Sequence, residues 1–344
     1  MNTLEKGALA VLGLCAGAWL WRRMSRPAYD FREKVVLITG GSRGLGLVLA
    51  RQFAAKGAKL ALCARDAAEL DLAAENLRQD GIDAFVHACD VSDGSGVREM
   101  VARTEAALGP VNVLVNNAGI IQVGPAETMT REDYEQSLRV HFWGCYNTVE
   151  AVLPGMRQRR DGRIVNISSI GGKVSVPHML PYSVGKFALV GYSQGLRSAV
   201  ASDNVLVTTV CPGLMRTGSP RNAEFKGQHR AEYAWFAVSD SLPLLTVSAE
   251  SAARSIVEAC RRGDAEAVLS LPARLATFLH QMFPETAADL LSLVNRLLPG
   301  PSGPESVGTE KRSGAESESS LAPSLLTTLT DQAARRNNEM ATNT

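Results

Sequence analysis

The glycine-rich stretch at residues 39–46 constrains the fold more than any other part of the chain. The apolar run that precedes it, residues 35–38, is typical of a strand buried on both faces of a parallel sheet. After it, Leu45, Val48 and Leu49 recur at helical spacing. The sequence therefore predicts a strand that turns tightly into a helix. Glycine suits such a turn because it accepts positive φ and lets the backbone approach a ligand closely.

This turn is also a candidate anion site, because the unpaired N–H groups at a helix start favour a negatively charged ligand such as a dinucleotide pyrophosphate. The spacing is not the G-x-G-x-x-G fingerprint, since Gly40, Gly44 and Gly46 are separated by three residues and then by one. A turn that merely connects a strand to a helix is the alternative. The turn alone therefore leaves the ligand open.

The composition excludes several classes of protein. A formal net charge of +1 over 344 residues gives no support for nucleic-acid binding. The six cysteines lie far apart without a C-x-x-C pair, which indicates neither a zinc site nor a disulfide framework and favours a reducing compartment. With 45% hydrophobic residues, the chain can form one large core.

The two ends of the chain differ from its middle. Residues 7–21 are uncharged and mostly apolar, and arginines follow them. We expect residues 1–26 to form an anchor helix at a membrane, with the catalytic domain on the cytoplasmic side. The run is shorter than the roughly 20 residues that span a bilayer, so a soluble or partner-docking helix is the alternative. We expect residues 299–344 to be disordered, because Pro, Gly, Ser and Glu dominate residues 299–324, with a short helix around residues 325–336.

Between these ends, strands alternate with helices over residues 27–271. This order predicts one α/β domain, a doubly wound, Rossmann-like parallel sheet of about seven strands with helices on both faces. Ligands bind such sheets at the carboxyl ends of the strands. Residues 272–298 predict a C-terminal extension of amphipathic helices, broken near Pro284, which could cover the substrate mouth, another subunit or a membrane.

Charged residues at predicted strand ends suggest which dinucleotide is bound. Arg65 follows the second strand, where a basic residue accommodates the 2′-phosphate of NADP and an acidic one binds the ribose of NAD. Arg43 in the glycine turn could supply a second cation. These residues favour NADP(H) over NAD(H), although two solvated arginines are the alternative. Asp90, just before Val91, could bond the adenine amino group or cap the next helix.

Tyr182 and Lys186 are the main catalytic candidates. They lie four residues apart on a predicted helix, so they share one face. An ammonium beside the phenol would lower the pKa of Tyr182 from about 10 toward neutrality, which would let it pass a proton near pH 7. Ser169, at the end of a neighbouring strand, is placed to hydrogen-bond the same substrate oxygen. Taken alone, the tyrosine and the lysine could equally form a surface pair.

In combination, these motifs resemble the short-chain dehydrogenase/reductase family over residues 31–271. Thr39-Gly40-x-x-x-Gly44-x-Gly46, Asn116-Asn117-Ala118-Gly119, Ser169 and Tyr182-x-x-x-Lys186 occur in the order typical of that family. The resemblance implies an NAD(P)(H)-dependent enzyme that interconverts a carbonyl and a secondary alcohol. It implies that Tyr182 transfers the proton, that Lys186 lowers the tyrosine pKa and binds the nicotinamide ribose, and that Ser169 holds the substrate oxygen.

The strand ends and the resemblance together define a predicted cofactor site and no metal site. Its residues are Gly40, Ser42, Arg43, Gly44, Leu45, Gly46, Arg65, Asp90, Val91, Asn117, Ala118, Gly119, Tyr182, Lys186, Pro212, Gly213 and Thr217. The resemblance also implies a homodimer or homotetramer, with contacts through the helices predicted for residues 130–154 and 182–202.

His141 departs from the family's pattern, because it stands where the family has an asparagine that helps to hold a water linking the lysine to solvent. An imidazole could serve the same relay and would titrate at about pH 6.5. A structural histidine is the alternative. This substitution is the one feature that favours a different function, a catalytically silent NADP-binding sensor or scaffold.

The substrate class is suggested by residues 214–248, which stand where the family has its substrate lid. Their many apolar and aromatic residues favour a hydrophobic substrate, and packing on the domain or on a partner subunit is the alternative. With the apolar N-terminal segment, they point to a lipid-like ketone or alcohol, for which a 3-ketosphinganine-type reductase is one concrete reading.

Overall fold

The structure is a computed structural model. It describes residues 28–243, 245–301, 308–319, 322–324 and 327–340, together with Gly13 and Gly17. The predicted anchor helix at residues 1–26 otherwise lies outside this part of the chain. Within the described residues, no helix combines the length and apolar character needed to cross a membrane.

Seven parallel strands form the central sheet, as predicted. They are β1 (Val35–Thr39), β2 (Lys59–Ala64), β3 (Ala84–Ala88), β4 (Val111–Asn116), β5 (Gly162–Ile167), β6 (Val205–Pro212) and β7 (Glu266–Leu269). Their spatial order is β7-β6-β5-β4-β1-β2-β3. The strand order reverses between β1 and β4, so a crevice is expected beyond the carboxyl ends of these two strands.

Helices cover both faces of this sheet, and other helices lie in the lid region and in the C-terminal part of the chain. They are α1 (Gly44–Ala54), α2 (Ala67–Gln79), α3 (Gly94–Leu108), α4 (Arg131–Leu138), α5 (Gly144–Arg159), α6 (Leu180–Ala199), α7 (His229–Ser239), α8 (Ala249–Arg262), α9 (Leu271–Met282), α10 (Pro284–Leu297) and α11 (Thr328–Arg336). Side chains of β1 alternate between the two layers. Val36 and Ile38 pack in a cluster with α1, α2 and α8, whereas Val35 and Leu37 pack with α3, α5 and α6.

The helix predicted for residues 130–154 is interrupted and extended. It starts as expected, with the Asp133 carboxylate accepting hydrogen bonds from the Thr130 backbone and hydroxyl at 2.7 and 3.0 Å. A π-helical turn at Arg139–Trp143 then separates α4 from α5. The expected end at Pro154 is wrong, since α5 continues to Arg159. Met156, beyond the proline, is fully buried in the core, and this burial offsets the hydrogen bond that proline cannot make.

The C-terminal extension contains the two amphipathic helices expected on either side of Pro284, α9 and α10. Their apolar side chains stay largely exposed, with Phe278 at 55% and Leu290 at 60% of their full accessible area.

The prediction of disorder beyond residue 299 is wrong for the described part of the tail. Arg312–Ser313 pairs antiparallel with Glu224–Phe225, which in turn pairs with Gln122–Val123 in a small three-stranded sheet. Ala322 is fully buried beside Phe225. The tail has too few apolar residues to form a core of its own, but the exposed edge of another segment supplies its backbone partners.

Candidate active site

The glycine turn joins β1 to α1 with the geometry that the sequence predicts. Gly40 and Gly44 have φ values of +63° and +54°, a region that favours glycine. A Cβ on Gly46 would lie 2.0 Å from the Gly40 carbonyl oxygen. These positions therefore exclude side chains, and the N–H groups at the start of α1 are presented at the crevice.

Asn117 and Thr39 hold this turn against the end of β4. The Asn117 side chain donates to the backbone oxygens of Thr39 and Gly40 at 3.1 and 2.9 Å. The Thr39 hydroxyl accepts from the backbone N–H groups of Asn117 and Ala118, both at 3.1 Å. Thr39 is a site residue that the sequence-based list left out, although it opens the glycine motif. The asparagine motif therefore stabilises the sheet at the switch point.

The two predicted phosphate-binding arginines have different surroundings. Arg43 forms an ion pair of 2.6 Å with Glu69, which also accepts a hydrogen bond from the Ser42 hydroxyl at 3.1 Å. Arg65 is exposed at the end of β2, and its side chain has no ion pair or hydrogen bond with any described residue. A phosphate would have to compete with Glu69 for Arg43, whereas Arg65 has no such competitor among those residues.

The alternative role of Asp90 as a helix cap is wrong. Asp93 caps α3 by accepting from the Ser95 N–H at 2.9 Å, and Asp90 instead accepts from the Ser92 N–H at 2.8 Å within the preceding turn. Asp90 remains exposed, and its neighbour Val91 is buried against α5.

Ser169 and Tyr182 meet at the carboxyl end of β5. The turn after this strand packs closely on α6, since a Cβ on Gly172 would lie 2.7 Å from the Lys186 carbonyl oxygen. A Cβ on Gly171 would lie 3.0 Å from the Tyr182 ring and 3.5 Å from the Ser169 hydroxyl, which accepts from the Gly171 N–H at 3.0 Å. The two side chains therefore lie next to each other at this turn.

The expected lowering of the tyrosine pKa is wrong for this state of the protein. Burial raises the pKa of Tyr182 to about 12, and the hydrogen bond with Ser169 only partly opposes this. The Lys186 ammonium donates to the Ile167 carbonyl oxygen at 2.9 Å and lies 5.7 Å from the centroid of the tyrosine ring. Burial lowers the pKa of Lys186 to about 8. The tyrosine is therefore a protonated phenol at neutral pH.

His141 lies in the π-helical turn and is almost fully buried, with its ring edge-on to Tyr182 at 5.4 Å between centroids. Its Nε2 accepts from the Ile120 N–H at 3.2 Å, so Nδ1 carries the proton and faces the Ser137 hydroxyl at 3.2 Å. Burial, followed by the Lys186 charge, holds the pKa of His141 well below its usual value. The expected titration near pH 6.5 is therefore wrong, and both ring nitrogens are already engaged.

The residues predicted on the nicotinamide side lie at and just beyond the end of β6. Pro212 ends the strand, and a Cβ on Gly213 would meet the Ser270 hydroxyl at 2.8 Å. Thr217 is buried, and its hydroxyl lies 2.6 Å from that of Ser219. These residues border the crevice on the side opposite the glycine turn.

A carboxylate from the chain itself occupies the predicted pyrophosphate position. Glu339 Oε2 accepts from the Gly218 N–H at 2.6 Å, and a Cβ on Gly44 would lie 2.7 Å from Glu339 Oε1. The crevice therefore accommodates a group with two acceptor oxygens, bound by the Gly218 N–H, between the glycine turn and the segment after β6, so its residues fit a dinucleotide diphosphate. No motif marks Glu339 in the sequence, and only the fold brings it here.

The aromatic residues of the lid region pack on the domain. Phe225, Tyr233 and Phe236 form a buried cluster that also contains Met179, and the Tyr182 ring packs against it. His178, at φ +61°, pairs with the buried carboxylate of Glu232 at 2.8 Å. The alternative reading of these aromatic residues as packing residues is thus the one observed, and they form an apolar wall beside the tyrosine.

Comparisons with known proteins agree with this geometry. A family model described as short chain dehydrogenase matches residues 34–226, more than half of the chain. The chain belongs to the short-chain dehydrogenase/reductase family. A relative from Anopheles gambiae, named dehydrogenase/reductase SDR family protein 7-like, is 32% identical over 282 residues, covering 80% of this chain and 87% of the relative.

Solved structures of this family share the fold. A short-chain dehydrogenase from Streptomyces avermitilis is 30% identical, with a TM-score of 0.66 over 76% of this chain and 97% of that one. L-sorbose reductase from Gluconobacter frateurii, solved with NADPH and L-sorbose, is 27% identical, with a TM-score of 0.63 over 70% of this chain and 97% of that one. Membership makes the chain an oxidoreductase of the NAD(P)-binding family that acts on a carbonyl or an alcohol.

Proposed function

We propose that this protein is an NADPH-dependent reductase that converts a hydrophobic ketone to a secondary alcohol. The observation that carries the proposal is the convergence of Ser169 and Tyr182 beside the buried Lys186. Bound NADPH would supply the hydride. The exposed Arg65 at the end of β2 supports the choice of NADP(H) over NAD(H), because a 2′-phosphate can reach it without displacing a carboxylate that the structure describes.

The protonation state of the site supports the direction of reduction. Because the pKa of Tyr182 is raised to about 12, its phenol holds a proton at neutral pH and can donate it to a carbonyl oxygen. The Ser169 hydroxyl would hold the same oxygen. As the proton leaves Tyr182, the Lys186 ammonium near the ring would stabilise the phenolate through space.

The apolar cluster beside Tyr182 supports a hydrophobic substrate. The Tyr182 ring packs against this cluster, which contains Met179 and Phe236, so the surroundings of the proposed proton donor are largely apolar. A lipid-like ketone of the 3-ketosphinganine type is one member of this class. L-sorbose, the ligand of the Gluconobacter relative, is a polar alternative that belongs in the same substrate panel.

A homo-oligomer remains part of the proposal. Aromatic side chains at α5, α6 and the π-helical turn before α5 are exposed, among them Trp143 at 50% and Phe187 at 42% of full accessible area. An apolar surface of this kind favours contact with a second copy of the chain.

Oxidation of NADPH with aliphatic, steroid, sphingoid and sugar ketones tests the function. Tyr182→Phe should lower the rate by about 10²- to 10⁴-fold, because the proton donor is lost, while NADPH binding persists. Tyr192→Phe is a matched control, since Tyr192 lies on the same helix α6 and packs instead against Phe142. If the protein binds NADPH but oxidises it with none of these ketones, the proposed reductase function is replaced by that of a catalytically silent NADP-binding sensor.

A further inference from the structure

The described parts of the C-terminal tail contact first the lid region and then the crevice. The Gly227 N–H donates to the Gly308 carbonyl oxygen at 3.0 Å, and Arg312–Ser313 pairs with Glu224–Phe225. Further along, the Thr330 hydroxyl in α11 bonds the Ser241 hydroxyl just beyond α7. Residues 337–339 then enter the crevice. The tail is thus anchored at several points before it reaches the predicted cofactor site.

Three consecutive tail residues contact both walls of the crevice. The Asn337 carbonyl oxygen accepts from the Gly44 N–H at 2.8 Å, and the Asn338 side chain donates to the Ser42 carbonyl oxygen at 2.9 Å. Glu339 accepts from the Gly218 N–H on the opposite wall at 2.6 Å. The backbone donor at the first residue of α1 is therefore already satisfied by the protein itself.

These contacts leave no room for a diphosphate. Glu339 is only 8% exposed, and its carboxylate lies against Gly44, at the start of α1, where a phosphate would bind. On the other wall, a Cβ on Gly218 would lie 2.4 Å from the Cβ of Glu339. The same backbone groups and the same space cannot serve both the tail and a dinucleotide.

We infer that residues 337–339 form an autoinhibitory strap that occupies the diphosphate position of the cofactor site and must leave before NADP(H) binds. The inference rests on the proposed function, because it assigns the glycine turn to the cofactor. The Asn337 carbonyl oxygen takes the place of a phosphate oxygen at the Gly44 N–H, and the Glu339 carboxylate does so at the Gly218 N–H.

The strap is held in a way that allows release. The residues of the strap, Asn337, Asn338 and Glu339, are all polar, and the preceding helix α11 buries only the small side chains of Thr330, Ala333 and Ala334, so little apolar area is exposed when the strap leaves. The Glu339 carboxylate makes no ion pair with a described residue, and Arg43 in the adjacent turn is engaged by Glu69. If only a fraction of the molecules have the strap released, the apparent affinity for NADP(H) is lowered in proportion to that fraction.

NADPH affinity, measured by fluorescence on the full chain and on a chain ending at Arg336, tests the strap. We expect the shortened chain to bind about tenfold more tightly or better, and Glu339→Ala to have a smaller effect in the same direction. Glu310→Gln is the matched control, because Glu310 is an exposed tail glutamate whose side chain pairs with Arg312. Its affinity should equal that of the unaltered chain.

Hydrogen exchange of the tail in the full chain gives a second readout that does not depend on activity. Saturating NADPH should speed exchange in residues 328–340, because bound cofactor keeps the strap out. Equal NADPH affinities of the full and the shortened chain would overturn the inference. Slower hydrogen exchange of the tail with NADPH would also overturn it, because the tail would then close over the cofactor. If neither chain binds NADPH, the proposed function fails and the strap with it.

Discussion

The glycine-turn wall of the crevice and the tail that lies against it are held in different ways. The wall formed by β1, the glycine turn and Asn117 is fixed by residues close in sequence or adjacent in the sheet, and Thr39 within it is almost fully buried. Residues 337–339 lie between this wall and the segment after β6, and they are nearly 300 residues away from the turn they contact. The glycine-turn wall belongs to the core of the fold, whereas the tail contributes mainly polar contacts and can detach.

Gly46→Ala should have the largest effect on the core wall. The added Cβ would lie 2.0 Å from the Gly40 carbonyl oxygen, so the turn would have to shift. We expect NADPH binding to be lost in both the full and the shortened chain, with a loss of roughly 1–3 kcal/mol in the free energy of unfolding. Gly191→Ala is the control, because a Cβ there meets nothing within 4 Å. If the Gly46→Ala variant still bound NADPH, the glycine turn would tolerate a displacement of its backbone, and the contrast with the detachable tail would fail.

Arg65→Asp should have the next largest effect and concerns the cofactor alone. In the chain ending at Arg336, we expect NADPH affinity to fall roughly 10- to 100-fold and NADH affinity to change little, since a charge-assisted contact to the 2′-phosphate is lost. Arg78→Asp is a suitable control, because Arg78 lies at the far end of α2 and pairs there with Glu75. An equal loss for both dinucleotides would contradict the assignment of Arg65 to the phosphate.

The pH dependence of the strap should be the smallest effect. Burial raises the pKa of Glu339 to about 7, while the Gly218 N–H and the Arg43 charge oppose this rise. The charged groups that face Glu339 are Arg43 in the glycine turn and Asp240 after α7. The pKa of Asp240 is itself raised well above its usual value, by burial and then by the charge of Glu339. A raised pKa in the docked state means that docking is favoured at low pH and weakens as the pH rises through about 7.

Between pH 6 and pH 8, NADPH affinity of the full chain should therefore rise roughly threefold to tenfold relative to the chain ending at Arg336. The ratio of the two chains cancels titrations that they share, such as that of Lys186. Glu339→Gln should flatten the ratio, because its amide does not titrate. A ratio that falls with pH would mean that the docked carboxylate is stabilised as an anion.

Sequence reasoning succeeded where the signals are local. The sequence predicts a helix at residues 67–79 and a strand at residues 84–88, and α2 and β3 have these bounds, with Asp66 capping the helix. The glycine turn and the closeness of Ser169 to Tyr182 also follow from spacing within one motif or between a strand and the helix that comes after it. In each case the residues that decide the structure lie in the segment they define.

The failures arise from contacts between distant segments. The π-helical turn places His141 between Ile120 and Ser137, and no periodicity in residues 130–154 shows this. The pKa of Tyr182 rises because the folded lid and core exclude water, which a helical spacing of four to Lys186 cannot reveal. The tail lacks a hydrophobic pattern, so its order depends on a surface that exists only after the domain has folded.

The short strand Arg312–Ser313 pairs with the domain and so keeps the strap, residues 337–339, close to the cofactor site that it occupies. Such a tether gives the strap a local concentration on the order of millimolar, whatever the dilution of the protein. Inhibition is therefore independent of how much enzyme is present, and the cofactor level in the surroundings sets the fraction of molecules that are open. The enzyme would thus respond to the supply of its own reductant before any substrate arrives.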